Sequence, residues 1–288
     1  MNENVFYHTP VLKEEVIESL NVKAGGKYID ATIGGGGHTE EIIKRGGLVL
    51  GIDQDAEAIE HLRKKLGEKV ILVLDNFKNI EKIARNNNFA DVDGVLLDIG
   101  VSSHQLDTPE RGFSYRYKAD LDMRMNIKND LTAKKIVNEY TLDELKSIFE
   151  KYSELEKARE LASVIVRERK KRKIETTHDL VGVIEKETHI DNATKSRIFQ
   201  ALRIAVNDEI EVLKNALTDS FTILAKKGRL CVISFHSLED RIVKDFGKRM
   251  EKEKLARLVN KKPITATENE ISVNRRAKSA KLRVIEKL

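Results

Sequence analysis

Apolar residues follow two rhythms along this chain. In the first hundred positions they gather into short continuous runs separated by helically spaced stretches. Tyr28-Ile29-Asp30-Ala31-Thr32 predicts a strand running straight into Gly34-Gly35-Gly36-Gly37, with a helix from about His38 to Lys44 ended by Gly46-Gly47. Leu48-Val49-Leu50-Gly51-Ile52 predicts a second strand with Asp53 at its tip. Ile59, Leu62 and Leu66 then share one face of a helix over Ala56–Leu66. Val70–Leu74 is the third strand and Gly94–Leu97, ending at Asp98, the fourth. Strands apolar throughout, alternating with helices, imply an α/β fold whose parallel sheet is covered on both faces.

The alternation stops between Leu131 and about Val212, where every periodic stretch is helical: Leu142–Tyr152, Leu155–Lys171, Thr177–Glu187 and Lys195–Leu213. It resumes where Ala225-Lys226-Lys227-Gly228 turns into Leu230-Cys231-Val232-Ile233-Ser234-Phe235, and Leu282–Ile285 forms a closing strand. A tandem arrangement would leave the strand at Leu230–Phe235 without a sheet. The pattern therefore predicts a helical domain at 109–210 inserted into an α/β domain made of 1–108 and 211–288.

Composition narrows the class. With 288 residues, 40% of them hydrophobic, the chain can bury a sizeable core. It has no apolar run of about eighteen residues, and MNENVFYHTP lacks the pattern of a signal peptide. One cysteine, Cys231, permits no internal disulfide, so a cytoplasmic location is expected. The net charge of +5 is mild but uneven. Arg167–Lys173 carries +5 and Asn274–Leu288 another +5, which leaves the remainder at −5. Concentrated positive charge suits phosphate binding, although a charge run is also what a solvated face looks like. The seven histidines show no metal-ligand spacing, and no metal is expected.

Candidate chemistry begins at the glycines. A glycine turn between strand and helix lets backbone amides approach a ligand closely. Asp53, at the tip of the second strand, suits a ribose diol, while Asp55 suits the cap of the following helix. Together they indicate an adenosine nucleotide or nucleoside. Three features separate this site from NAD. Asp30 precedes the glycines, where it could orient a charged amino group; Asp98 faces the same crevice; and there is no second nucleotide-binding half. A Walker-type lysine is missing, which argues against ATP. A ligand with an amino acid end, a ribose and an adenine fits best: S-adenosylmethionine.

Longer strings carry a resemblance. They include His8-Thr9-Pro10-Val11, the stretch from Asp93 to Asp107 (DGVLLDIGVSSHQLD), Arg111-Gly112-Phe113-Ser114 and Leu121-Asp122-Met123-Arg124-Met125. Phe199-Gln200-Ala201-Leu202-Arg203 and Ser234-Phe235-His236-Ser237-Leu238-Glu239-Asp240-Arg241 extend them. With these the chain resembles the bacterial class I methyltransferases that modify the N4 amine of a cytidine in 16S ribosomal RNA. The resemblance runs from His8 to Arg283 and implies a Rossmann-like methyltransferase sheet with an inserted helical substrate-recognition domain. It implies S-adenosylmethionine as cofactor and 16S ribosomal RNA, in the decoding region of the small subunit, as partner. Carried over by position, cofactor contacts fall on Gly36, Gly37, His38, Asp53, Phe77, Asp98 and Gln105. For His38 the backbone amide is the expected contact.

Methyl transfer from a sulfonium needs no acid for its leaving group. A cytosine N4 lone pair, however, is delocalised and needs an acceptor for the amine protons. His236 and Asp98 are the catalytic candidates, with Asp98 expected mainly to hold the cofactor; Glu239 and Asp240 share the rim of His236. An interdomain or helix-capping role is the structural alternative for this trio. Cys231, mid-strand among apolar neighbours, is not expected to act as a nucleophile. Phe113, Tyr115 and Tyr117, beside Arg111, Arg116 and Arg124, could stack an extruded base or simply fill the core. A methyltransferase for another RNA, a protein or a small amine is the alternative function. A module using the cofactor only structurally and a nucleotide oxidoreductase are the others.

Overall fold

The computed structural model describes residues 10–100, 108–186 and 190–288. The first elements are α1 (Lys13–Leu20), β1 (Lys27–Asp30), α2 (Gly37–Lys44), β2 (Leu48–Asp53), α3 (Ala56–Leu66), β3 (Val70–Leu74), α4 (Ile80–Asn86) and β4 (Val92–Asp98). A helical stretch follows: α5 (Ala133–Glu139), α6 (Leu142–Ser153), α7 (Ala158–Arg169), α8 (Thr177–Ile184) and α9 (Asn192–Asn207). The chain continues through α10 (Glu209–Ile223), β5 (Leu224–Ser234), α11 (Ser237–Lys252), β6 (Ala256–Leu258), α12 (Glu268–Val273) and β7 (Lys281–Lys287). It separates into two compact units, Met1–Gly100 with Glu211–Leu288, and Val101–Ile210. The first crossing thus falls at Gly100 instead of 108, and 101–107 are outside the described residues.

The first unit is built on a seven-stranded sheet in the order β3-β2-β1-β4-β5-β7-β6. β1 to β5 are mutually parallel, and β7 is antiparallel to both neighbours. Alternate side chains divide between the two faces, as strand geometry requires. Ile29, Leu50, Val95 and Val232 pack with Ile80, Ile83, Leu217 and Phe246 from α4, α10 and α11. Tyr28, Val49, Leu96 and Ile233 pack on the other face with Val16, Leu20, Ile42 and Leu62 from α1, α2 and α3. Leu50 and Leu62 are fully buried, and each such side chain contributes about 1.5–3 kcal/mol. The strand order reverses between β1 and β4, so the crevice at their carboxyl ends is where a ligand is expected.

The second unit has its own core, in which Phe149, Leu161, Ile165, Leu180 and Leu202 are central. Local chemistry sets its helix starts. Thr141 with Glu144 and Thr176 with Asp179 form capping boxes at α6 and α8, and Asp191 caps α9 by accepting from Thr194 N at 2.8 Å.

Several boundaries differ from the apolar pattern. The predicted first strand stops at Asp30 because Thr32 turns its Oγ1 to accept from Asp98 N, 2.7 Å away. The single helix expected over Lys195–Leu213 breaks at Asp208, whose φ of 51° caps α9. β5 begins at Leu224, six residues ahead of Leu230, because the lysines of a turn-like stretch are carried inside it. Glu187, the expected end of α8, lies outside the described residues.

Candidate active site

Three acidic residues close strands at the carboxyl rim of the sheet: Asp30 on β1, Asp53 on β2 and Asp98 on β4. Asp30 is buried and Asp53 and Asp98 are half-buried, and each finds different company. Asp30 is 1% exposed; its Oδ2 accepts from Thr39 Oγ1 at 2.7 Å and its Oδ1 from Thr32 N at 3.4 Å. It therefore ties the glycine loop to α2. Burial lifts its carboxyl to about 6, against the pull of these bonds.

Asp53 holds the loop from the other side. Its Oδ2 accepts from Gly34 N and its Oδ1 from Asp55 N, both at 2.9 Å. Each oxygen keeps a further lone pair. Burial raises this carboxyl to about 6 as well, chiefly by desolvation. Asp55 caps α3, accepting from Glu57 N at 3.0 Å, so the two aspartates divide the site and capping roles between them.

Between these anchors the chain makes the turn into α2. Gly36 caps the helix with φ 79°, a conformation that side chains rarely adopt. A Cβ on Gly37 would lie 2.8 Å from Pro10 Cγ, so glycine lets the segment ahead of α1 press against the loop. The Gly37 and His38 amides open the helix and have no intrahelical acceptor. They form an anion-binding end. The His38 ring serves a different purpose. It is 6% exposed, its Nε2 lies 3.0 Å from Val11 O, and burial lowers its pKa to about 4. The neutral ring donates to that carbonyl and fastens the loop to the N-terminal segment.

Asp98 is the exception among the three. Its backbone is held by Thr32, but its Oδ1 is sealed from solvent and accepts no hydrogen bond among the described residues. Desolvation raises its carboxyl to about 7; the Arg276 guanidinium opposes the shift, while Asp30 and Glu239 add to it. A buried carboxylate oxygen without a donor costs on the order of 1–3 kcal/mol. It is what a site completed by a ligand's N–H would leave behind.

Phe77 follows β3 in a short 3-10 turn, half-buried against the first core cluster, with Asn76 fixing the turn by accepting from Lys78 N. The adjacent Asp75 N donates to Asp53 O at 2.9 Å, which fixes Phe77's turn to the tip of β2. Gln105 lies outside the described residues.

His236 is occupied. It caps α11, its Nδ1 accepting from Glu239 N at 3.4 Å, while Glu239 Oε2 accepts from Phe235 N at 2.9 Å. The second ring nitrogen, Nε2, lies 3.0 Å from Glu239 Oε1, without meeting hydrogen-bond geometry. Both nitrogens face one glutamate, itself 1% exposed. Asp240 is committed as well: it takes Arg283 of β7 through Oδ1 at 2.6 Å and Oδ2 at 3.2 Å. Helix capping and strand pairing thus engage His236 Nδ1, Glu239 Oε2 and the Asp240 carboxylate. Cys231 is fully buried, and burial pushes its thiol up to about 12, which leaves no thiolate for covalent chemistry.

Sequence reasoning missed three participants. Thr32 and Thr39 orient Asp98 and Asp30 through hydroxyls that no motif advertised. Arg276, 178 positions after Asp98, has its guanidinium 5.8 Å from the Phe235 ring centre and acts on Asp98 electrostatically. Only the antiparallel return of β7 beside β5 brings that segment to the rim.

In the helical unit the proposed stacking aromatics divide. Phe113 is core at 7% exposure, and Tyr115 meets Phe199 edge-on with ring centres 5.7 Å apart. Tyr117 remains 48% exposed. Arg124 is held bidentate by Asp122, and Arg111 donates to Arg124 O and Met125 O, so both guanidiniums serve the loop's own backbone.

A sequence model of the MraW methylase family matches residues 5–288. Ribosomal RNA small subunit methyltransferase H of Acetivibrio thermocellus is 47% identical, the match covering 98% of this chain and 99% of that protein. The proteins of the same name from Carboxydothermus hydrogenoformans and Clostridioides difficile are 44% and 43% identical, again across 98% of this chain. They cover 98% and 99% of those proteins. With this full-length likeness, the chain belongs to the MraW methylase family and is an S-adenosylmethionine-dependent methyltransferase.

Proposed function

We propose that this enzyme methylates the N4 amine of a cytidine in the decoding region of 16S ribosomal RNA, within the small subunit, and that residues 109–210 recognise the substrate. The substrate class rests on the relatives' names and their full-length likeness. The observation that carries the chemistry is the unpartnered buried oxygen of Asp98 at the crevice between β1 and β4.

The residues fit the cofactor. The Gly37 and His38 amides meet its carboxylate, with Gly36 shaping the turn; the spare lone pairs of Asp53 accept from the ribose hydroxyls; Phe77 borders the adenine; and Gln105 is assigned a contact from sequence alone. Asp98 Oδ1 takes an N–H donor, chiefly the cofactor's ammonium. Bound S-adenosylmethionine supplies an electrophilic methyl carried on sulfur. The remaining task is to seat the amine within about 3–3.5 Å of that methyl and to receive its proton. A carboxyl near neutrality, as Asp98 is, can accept a proton from a nearby amine and release it again. His236 acts as a positioning residue: it and Glu239 fix the Phe235-His236 backbone at the same rim.

Deleting the gene and examining the strain's ribosomal RNA by mass spectrometry tests the assignment. One N4-methylated cytidine of 16S RNA should be lost and restored by the cloned gene. An unchanged nucleoside profile would transfer the activity to another RNA, a protein or a small amine.

A further inference from the structure

The amino ends of the strands, at the other edge of the sheet, carry a second concentration of charge. Across three neighbouring strands Arg229 of β5, Glu286 of β7 and Arg257 of β6 stand in register. Glu286 accepts from Arg229 Nε at 3.0 Å and from Arg257 Nη2 at 2.8 Å, and Arg229 also donates to Ser19 O at 2.8 Å. The triad forms one wall of an open cleft of about 550 Å³, whose other basic residues are Lys23, Lys226 and Lys227. Five cations, two of them paired with Glu286, leave the side chains of the lining net positive.

The two adjacent lysines are displayed by backbone design. Val92 pairs with Leu224 and Gly94 with Arg229, so β5 spends residues 225–228 where β4 spends one. This bulge pushes Lys226 and Lys227 into solvent, with Lys227 at φ 65°. A side chain at Gly228 would meet Val92 O at 2.8 Å and Ala225 O at 2.9 Å, so the loop is tightly built. Lys23, Lys226 and Lys227 are exposed and make no ion pair among the described residues. None of these cations belongs to the two basic stretches of the sequence; only the fold gathers positions 23, 226–229 and 257.

We propose that this cleft binds the phosphodiester backbone of the RNA substrate as a second contact, distant from the reacting base. The inference rests on the assignment of RNA as substrate. Five residues of β5, roughly 16 Å of strand, separate Arg229 from Ser234 at the cofactor rim, so a group in the cleft cannot take part in methyl transfer. The cleft is open, and its donors are lysine point charges flanking a fixed arginine pair. That arrangement suits a polymer recognised by charge and not an enclosed small ligand.

The test is binding of a 16S RNA transcript to a Lys23→Gln, Lys226→Gln, Lys227→Gln variant at several salt concentrations. At about 0.1 M salt affinity should fall about tenfold, and the dependence of log affinity on log salt should flatten by about 2. Affinity for S-adenosylhomocysteine and the single-turnover rate at saturating RNA should be unchanged. A control carrying the same charge loss elsewhere, Lys64→Gln, Lys69→Gln, Lys82→Gln, should bind as wild type. Unchanged RNA affinity in the cleft variant, or equal losses in both, would overturn the proposal. If the triple variant melts early, Lys227→Gln alone carries the test, with a flattening of about one. Wild-type methylation is scored separately, on small subunits from a strain lacking the gene; no methyl transfer to them would fail the substrate assignment and leave the cleft measurement intact.

Discussion

Two nearly enclosed carboxylates, one in each unit, have opposite fates. Glu168 on α7 is 7% exposed and is met on all sides: Lys171 and Lys186 each lie 2.7 Å from one of its oxygens, with Arg167 at 3.3 Å. Those hydrogen bonds, from Lys171 above all, pull its pKa down to about 2. Asp98 on β4 has an oxygen sealed off with no donor among the described residues, and burial lifts it to about 7. Enclosure is common to both; partners decide the sign. The helical unit has satisfied its acid with its own chain, whereas the rim leaves one oxygen without a donor among the described residues, at a cost in stability, as the proposed ligand contact requires.

The sharpest way to break this contrast is Asp98→Asn, which keeps the shape and removes the charge. If Asp98 holds the cofactor, affinity for S-adenosylmethionine should fall about a hundredfold by titration calorimetry while the single-turnover rate at saturating cofactor survives. A slow saturated rate with intact affinity would instead assign Asp98 to the amine. Asp53 is a rim acid that already has two backbone donors, so its loss should cost less. Asp53→Ala is expected to weaken cofactor binding by about 1.5–3 kcal/mol, and unchanged affinity in a folded variant would remove it from the site.

Stability against pH reads the same contrast without any ligand. Asp98 is raised in the folded state, so its protonated form stabilises the fold below the ordinary carboxylate range. That contribution disappears as pH rises towards about 7. Asp98→Asn should therefore make the ligand-free enzyme more stable at pH 8, by roughly 2 kcal/mol in denaturant melts. It should flatten the loss of stability between about pH 4 and 7; a variant as labile as wild type at pH 8 would refute the cost assigned to the orphan oxygen. Glu168 carries the reverse sign. Its pairs stabilise above the ordinary 4.5 and are lost as pH falls towards about 2, so Glu168→Gln should remove an acid limb from the profile.

Much of this arrangement was legible in the sequence, for physical reasons. Strands buried on both faces must be apolar throughout, so β1, β2 and β4 announced themselves, and the aspartates that end β2 and β4 marked the rim; β3, at the edge, is apolar although Ile71 and Leu74 are exposed. Asp55 could be separated from Asp53 because capping and ligand binding require different positions relative to the helix. What stayed hidden depends on neighbours distant in sequence. Nothing local to His236 reveals that its Nδ1 will accept from Glu239 N, or that Asp240 will be claimed by Arg283, 43 residues later. β6, three residues long, has too little pattern to read and exists because β7 offers it an edge. Charge counting likewise does not show which cations are already engaged. Of the basic residues in the C-terminal stretch, Lys281 and Arg283 serve Asp240, and Lys287 donates to three carbonyls where α10 runs into β5.

The same accounting gives the smallest effect, within the basic stretch of the helical unit. Arg167 and Lys171 are engaged with Glu168, Arg169 donates to Val137 O at 2.9 Å, and Arg172 lies 3.9 Å from Asp179. Lys170 and Lys173 are exposed and make no ion pair with a described residue. If this stretch touches RNA, charge already compensated by an acid should matter less than charge that is not. Lys170→Gln with Lys173→Gln is expected to weaken binding of a 16S RNA transcript about threefold and to flatten its salt dependence by about one or two. Lys171→Gln should have a weaker effect on binding while making the unit easier to unfold, because Glu168 loses a partner. Cofactor affinity should be untouched in all of them. Equal losses for the compensated and uncompensated lysines would mean that the Glu168 cluster opens on contact with RNA. No loss in either would make the stretch a solvated face.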